Sequence, residues 1–231
     1  MTILTITNKT HNNIQTSLIT FGNPHSCDGK DIIICITGNP GFVEFYLEFG
    51  QELHTKTGLP VCVIGHAGHD NVSDIQSSKL QGQEHLFNLK GQLKHKLDLL
   101  DNNIDNKSKL HFVGHSIGSW LCSLPSHYDK RVLKYLNPHI FEKVLFLAYD
   151  EMDNITTLNK DGVDKVKHLT NIIYSVDDGW APLNFMKDLM IFQPYLQMME
   201  VNTDHAFVFK SSEFIAFIAS DFIKPKISAG M

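Results

Sequence analysis

The chain has 231 residues and a mass of 26.2 kDa, 42% hydrophobic and 19% charged, which fits one globular domain and excludes a disordered or fibrous chain. Lys plus Arg number 20 against 25 for Asp plus Glu, a net charge of -5 with no basic cluster, which argues against nucleic acid as a partner. Apolar runs such as Ile32–Ile36 fall far short of the ~18–20 residues of a transmembrane segment.

The opening residues, MTILTITNKTHNN, lack the charged start and long apolar stretch of a secretory signal, so the expectation is a soluble, intracellular protein. Cys27, Cys35, Cys62 and Cys122 stand far apart with no C-x-x-C pair, unlike a disulfide-stapled secreted scaffold.

Two alternating segments, Thr2–Thr7 and Gln15–Phe21, flank the polar break His11-Asn12-Asn13 and predict an antiparallel hairpin. Asp31–Ile36 is a continuous apolar run, the pattern of a strand covered on both faces. It ends in the turn-rich loop Thr37-Gly38-Asn39-Pro40-Gly41. A helix is predicted across Phe42–Lys56 and a second buried strand at Leu59–Ile64. Leu86, Leu89, Leu93, Leu97, Leu100 and Ile104 recur at helical spacing, predicting a long helix whose apolar stripe packs on a sheet.

A third buried strand, Leu110–Val113, runs into Gly114-His115-Ser116-Ile117-Gly118. Later come a strand at Asn171–Ser175, a helix near Pro182–Met190, a strand at Leu196–Val201 and a helix at Ser212–Ile223. Val144–Ala148 is the only other candidate strand. Strands alternating with helices predict an α/β fold over residues 1–231: a mostly parallel sheet with helices on both faces and the hairpin at one edge.

Gly114-His115-Ser116-Ile117-Gly118 is a G-x-S-x-G pattern placed directly after an apolar strand, the setting of a nucleophile elbow. A serine in so tight a turn needs neighbours without a Cβ. Its hydroxyl needs a base, which in this topology follows an acid late in the chain. His205 lies between the last strand and the last helix, and Asp177 and Asp178 both follow the strand at Asn171–Ser175. Oxyanion stabilisation calls for two fixed N–H donors: Ile117, immediately after the serine, and one from the loop Gly38–Gly41, where Pro40 has none and Asn39 is favoured. The segment His66-Ala-Gly-His69-Asp70 carries metal-ligand residue types but no supporting set at characteristic spacing, so no metal and no cofactor is expected.

Taken together, Gly38-Asn-Pro-Gly-Phe42, Gly65-His-Ala-Gly-His69, Gly91-Gln-Leu-Lys-His-Lys96, Gly114-His-Ser-Ile-Gly-Ser119, Asp178-Gly-Trp-Ala-Pro182 and His205-Ala-Phe207 resemble the lipid droplet-associated hydrolase family of α/β-hydrolases. The resemblance implies an α/β-hydrolase fold and a serine lipid hydrolase with Ser116, Asp178 and His205 as its triad, the acid at Asp178 rather than Asp177. It further implies a neutral lipid or ester, sterol esters included, as substrate, a role in lipid storage, and peripheral residence on lipid droplets and the endoplasmic reticulum. Two departures stand out. Thr37 replaces the proline usual before the Gly-Asn-Pro-Gly loop. Ser116 and Asp178 lie only 62 positions apart, where the family carries a long insertion with an apolar cap, so the cap is reduced or absent; if Val144–Ala148 matches the family's helix before the acid-bearing strand, a sheet strand is absent as well. A non-catalytic lipid-droplet or protein-binding module that kept the fold is the alternative.

Overall fold

The computed structural model describes residues 4–70, 79–115, 138–154, 157–158, 160–181 and 183–227. Strands β1 (Leu4–His11) and β2 (Ile14–Phe21) pair antiparallel, with His11 opposite Ile14. Asn12 and Asn13 both take positive φ, 46° and 63°, the two-residue turn whose twist matches a hairpin and which asparagine tolerates better than most residues. β3 (Ile32–Ile36), β4 (Val61–Ile64) and β5 (Leu110–Gly114) complete a five-stranded sheet of order β1-β2-β4-β3-β5. β2 meets β4 antiparallel, and β3 runs parallel to both β4 and β5.

β3 shows why its sequence reads as continuously apolar. Ile33 and Cys35 point to one face, where they join Phe49 and Leu53 of helix α1 (Leu47–Thr57) and Ile215, Ala216 and Ala219 of the last helix (Ser212–Ile223). Ile32 and Ile34 point to the other face and meet Leu99 of the helix Leu89–Asn103. Helices therefore cover both faces, as expected from the sequence. α1 ends where Gly58 adopts φ 72° and its N–H returns to the His54 carbonyl, the left-handed stop that glycine supplies without strain.

One open reading is settled and two expectations are corrected. Between α1 and the last helix lie α2 (Glu84–Phe87), α3 (Leu89–Asn103), α4 (Pro138–Asn154), α5 (Lys160–Val166) and α6 (Leu183–Met190), which makes the last helix α7 (Ser212–Ile223). Val144–Ala148 is thus helical, within α4. The stripe predicted for α3 is turned by one residue, about 100°: Leu93 and Leu97 are 60% and 48% exposed, while Gln92, His95, Lys96 and Leu99 are buried. Hydropathy alone misreads this helix because its inner face meets loop backbone as well as sheet, and loop N–H and C=O groups require polar partners. Finally, β6 (Asn171–Ser175) and β7 (Gln197–Val201) pair parallel with each other but form a separate two-stranded sheet, not hydrogen-bonded to β5.

Candidate active site

The acid and histidine foreseen in the sequence meet. Asp178 lies just past β6 and His205 in the loop after β7. His205 donates from Nδ1 to Asp178 Oδ2 at 2.6 Å, with the two side chains 9% and 11% exposed. The other carboxylate oxygen, Oδ1, accepts the N–H groups of Trp180 at 2.8 Å and Ala181 at 3.0 Å, so the carboxylate is fixed by the turn that follows it. Burial works to raise the Asp178 carboxyl, but the hydrogen bonds from His205, Trp180 and Ala181 outweigh it and hold the group below its ordinary value. With its proton on Nδ1, His205 presents an unprotonated Nε2. That atom is buried and has no hydrogen-bond partner among the described residues. Asp204 pairs instead with Lys210 at 3.2 Å.

Ser116, Ile117 and Gly118, the remainder of the elbow, lie outside the described residues. The residue just before the serine does not. His115 Nε2 lies 2.9 Å from the His205 carbonyl oxygen, and its Nδ1 lies 2.5 Å from the Tyr46 hydroxyl. The same hydroxyl accepts the N–H of Gly38 at 2.6 Å. Tyr46 and His115 thus tie three segments of the site together: the Gly38–Gly41 loop, the end of β5 and the loop that carries His205. The His205 carbonyl can only accept, so His115 carries its proton on Nε2, and in the neutral ring Nδ1 accepts from the Tyr46 hydroxyl. Burial, reinforced by nearby His205, lowers the His115 pKa to about 4, so it is neutral at pH 7.

This bridge was not legible in the sequence, because Tyr46 sits in an unremarkable aromatic run. Tyr46→Phe strands the buried Gly38 N–H and the His115 ring nitrogen, a cost of about 1–3 kcal/mol. A urea midpoint unchanged from wild type would contradict the bridge.

Two of the sequence motifs also meet. Gly41 donates its N–H to His69 Nδ1 at 2.9 Å, and His66 returns its N–H to the Gly41 carbonyl at 3.2 Å. A Cβ on Gly41 would lie 2.5 Å from the His66 backbone nitrogen, so only glycine allows the two loops to touch. The 65–70 loop is held in turn by α3. Gln92 accepts from the Ala67 N–H at 2.9 Å and donates to its carbonyl at 3.1 Å. Lys96 Nζ lies 2.9 Å from His66 Nδ1 and 2.8 Å from Gln92 Oε1.

Burial depresses the Lys96 ammonium to about 7, against a smaller upward pull from Asp70. His66 is pushed well below its ordinary value by burial and by Lys96. Among the described residues no group of three or more His, Cys, Asp or Glu is placed to hold a metal ion. His115, Asp178 and His205 line a cleft of about 960 Å³ whose walls are β5 and β6.

The comparisons with known proteins agree with this arrangement. Among solved structures of similar fold are an α/β hydrolase from a Medee basin deep-sea metagenome library (TM-score 0.68, 14% identity, 94% of this chain and 97% of that one) and a serine hydrolase from Cycloclasticus zankles (TM-score 0.67, 13% identity, 98% and 100%). At such identities they establish the fold, an α/β-hydrolase. The sequence is 29% identical to a lipid droplet-associated hydrolase of Drosophila melanogaster over 294 aligned positions, covering 92% of this chain and 96% of the relative. It is 33% identical to the Mus musculus protein of the same name, over 53% of this chain and 39% of that one. The Homo sapiens protein of that name is 37% identical over 39% and 31%. The sequence model described as lipid-droplet associated hydrolase matches residues 29–124 and 121–208, so the chain belongs to the lipid droplet-associated hydrolase family.

Proposed function

We propose that this chain is a serine lipid hydrolase that cleaves carboxylic esters of neutral lipids, sterol esters among them, and serves lipid storage at the surface of lipid droplets and the endoplasmic reticulum. The observation that carries the chemistry is the buried, partnerless Nε2 of His205 on a ring whose other nitrogen is held by Asp178. In this reading Nε2 takes the proton of Ser116 as its oxygen attacks the ester carbonyl. The imidazolium, stabilised by Asp178, then gives that proton to the departing alcohol, and a water activated by the same nitrogen releases the acyl group.

The N–H groups of Ile117 and Asn39 receive the oxyanion. Asn39 is supported by elimination: in its loop the Gly38 N–H goes to Tyr46, the Gly41 N–H goes to His69, and Pro40 has none. Residence on lipid droplets rests on the family and on the names of its members. No helix among the described residues is long and apolar enough to cross a membrane, so contact through a surface is the reading adopted.

A second reading, a non-catalytic module docking on a droplet or a protein, is favoured by one observation. The alignment with the Drosophila melanogaster relative runs over 294 positions against the 231 residues of this chain, so the relative carries residues that have no counterpart here. Turnover of p-nitrophenyl esters of increasing chain length separates the two. The hydrolase reading predicts activity that Ser116→Ala lowers by about 10⁴-fold or more. A folded wild type with no turnover above background selects the binding module.

A further inference from the structure

The Gly38–Gly41 loop and the 65–70 loop touch backbone to backbone. A Cβ on Gly65 would lie 2.6 Å from the Gly41 carbonyl oxygen, as one on Gly41 would lie 2.5 Å from the His66 nitrogen. Three side-chain bonds hold the first loop among the described residues. The Gly38 N–H goes to the Tyr46 hydroxyl, and the side-chain amide of the fully buried Asn39 donates to the Val144 carbonyl of α4 at 2.9 Å. The third is the Gly41 N–H to His69 Nδ1, also 2.9 Å.

Packing does not explain a histidine at position 69. Its ring is fully buried, against the rings of Phe42 and His66, a place that an apolar side chain fills equally well. Accepting from Gly41 at Nδ1 puts the ring proton on Nε2, and Nε2 is buried with no hydrogen-bond partner among the described residues. A buried polar atom left unsatisfied destabilises a fold. What the histidine supplies in return is an acceptor for one backbone N–H. Burial, with repulsion from Lys96 and Lys143, lowers the ring's pKa to about 3 against a smaller upward pull from the Lys143 backbone, so Nδ1 stays an acceptor at pH 7. The loop that carries the ring is itself braced by α3, through Gln92 at Ala67 and Lys96 at His66.

We propose that His69 is a positioning residue for ester hydrolysis: by holding Gly41 it fixes the backbone at Asn39, whose N–H receives the oxyanion. The proposal rests on the reading of the chain as a serine hydrolase with Asn39 as an oxyanion donor. Such donors act through preorganisation, and a misplacement of about 1 Å costs on the order of 100-fold in rate. His69 is two residues from the donor, so its loss is expected in kcat rather than KM.

Turnover of p-nitrophenyl esters by His69→Leu and His69→Asn tests it. The two side chains are close in shape, and only asparagine keeps an oxygen near the place of Nδ1. His69→Leu is expected to lower kcat about tenfold or more with KM within about threefold, and His69→Asn to restore most of the loss. A trifluoromethyl ketone, whose adduct with Ser116 carries the oxyanion, should bind His69→Leu more weakly by the same factor, while the matching alcohol binds both proteins alike. Thr16→Val removes a hydroxyl 2.6 Å from His95, another buried contact of α3; it should lower the urea midpoint and leave kcat as in the wild type. If His69→Leu does not fold, His69→Gln, whose amide falls at the place of Nε2, takes its position in the comparison. The proposal is overturned if the variant without the acceptor keeps wild-type kcat, or if His69→Asn is equally impaired. A matching kcat loss in Thr16→Val also overturns it, because the effect is then one of general destabilisation. A folded wild type with no turnover removes the hydrolase reading and this proposal together, whereas failure confined to the variants removes this proposal alone.

Discussion

Asp178→Asn is expected to lower ester turnover by about 10⁴-fold while the chain stays folded. The reason lies in how the two carboxylate oxygens are used. Oδ1 accepts from the N–H groups of Trp180 and Ala181, and an asparagine oxygen retains both bonds. That choice points the new amide NH₂ at His205 Nδ1, which must then accept rather than donate. The imidazole proton moves to Nε2, the atom that in the proposed mechanism has to be free to receive the proton of Ser116. The loss should fall on kcat, with KM little changed, because substrate contacts are untouched. A folded Asp178→Asn protein that loses less than tenfold would show that this carboxylate does not orient the base.

The second large effect is acid instability. His66, His69, His95 and His115 are all held below their ordinary value, His69 to about 3, His95 to about 2 and His115 to about 4. Burial is the main cause throughout, with Lys96 adding repulsion at the first three and His205 at the fourth. In the unfolded chain these rings take up protons near pH ~6.5, whereas the folded chain keeps them neutral. The unfolded state therefore binds more protons as pH falls below ~6.5, and each such histidine removes on the order of 1.4 kcal/mol of stability per pH unit.

Two groups oppose this. Asp70, raised to about 6, and Glu151, raised to about 8, both chiefly by burial, keep protons in the folded chain that the unfolded chain releases. Two uncompensated histidines still remove ~3 kcal/mol per pH unit, a large share of a typical ~5–15 kcal/mol. The urea midpoint is expected to fall by half or more between pH 7 and pH 5. An equal or higher midpoint at pH 5 would contradict the burial of neutral rings described here.

How far the sequence could be read depended on what each side chain packs against. Ile32–Ile36 declared itself because a strand buried on both faces needs apolar residues at every position. The Asn12-Asn13 turn declared itself through its residue types. His205 and the pair Asp177 and Asp178 were legible from chain order, in the loops after the late strands, and the resemblance to the family singled out Asp178. α3 was not: Gln92 and Lys96 are buried because the 65–70 loop needs hydrogen-bond partners, and that loop lies far away in the chain. The Tyr46–His115 bridge was hidden for the same reason, since its partners Gly38 and His205 come from opposite ends of the sequence. Val144–Ala148 was ambiguous because a short apolar run suits a strand and a buried helix equally.

The account turns on a reactive hydroxyl at position 116, and covalent capture reads it directly. After exposure to a fluorophosphonate, peptide mass spectrometry should find the adduct on Ser116 in the wild type, with labelling greatly slowed in His205→Ala. A folded wild type that stays unmodified, or an adduct on another residue, would contradict the account.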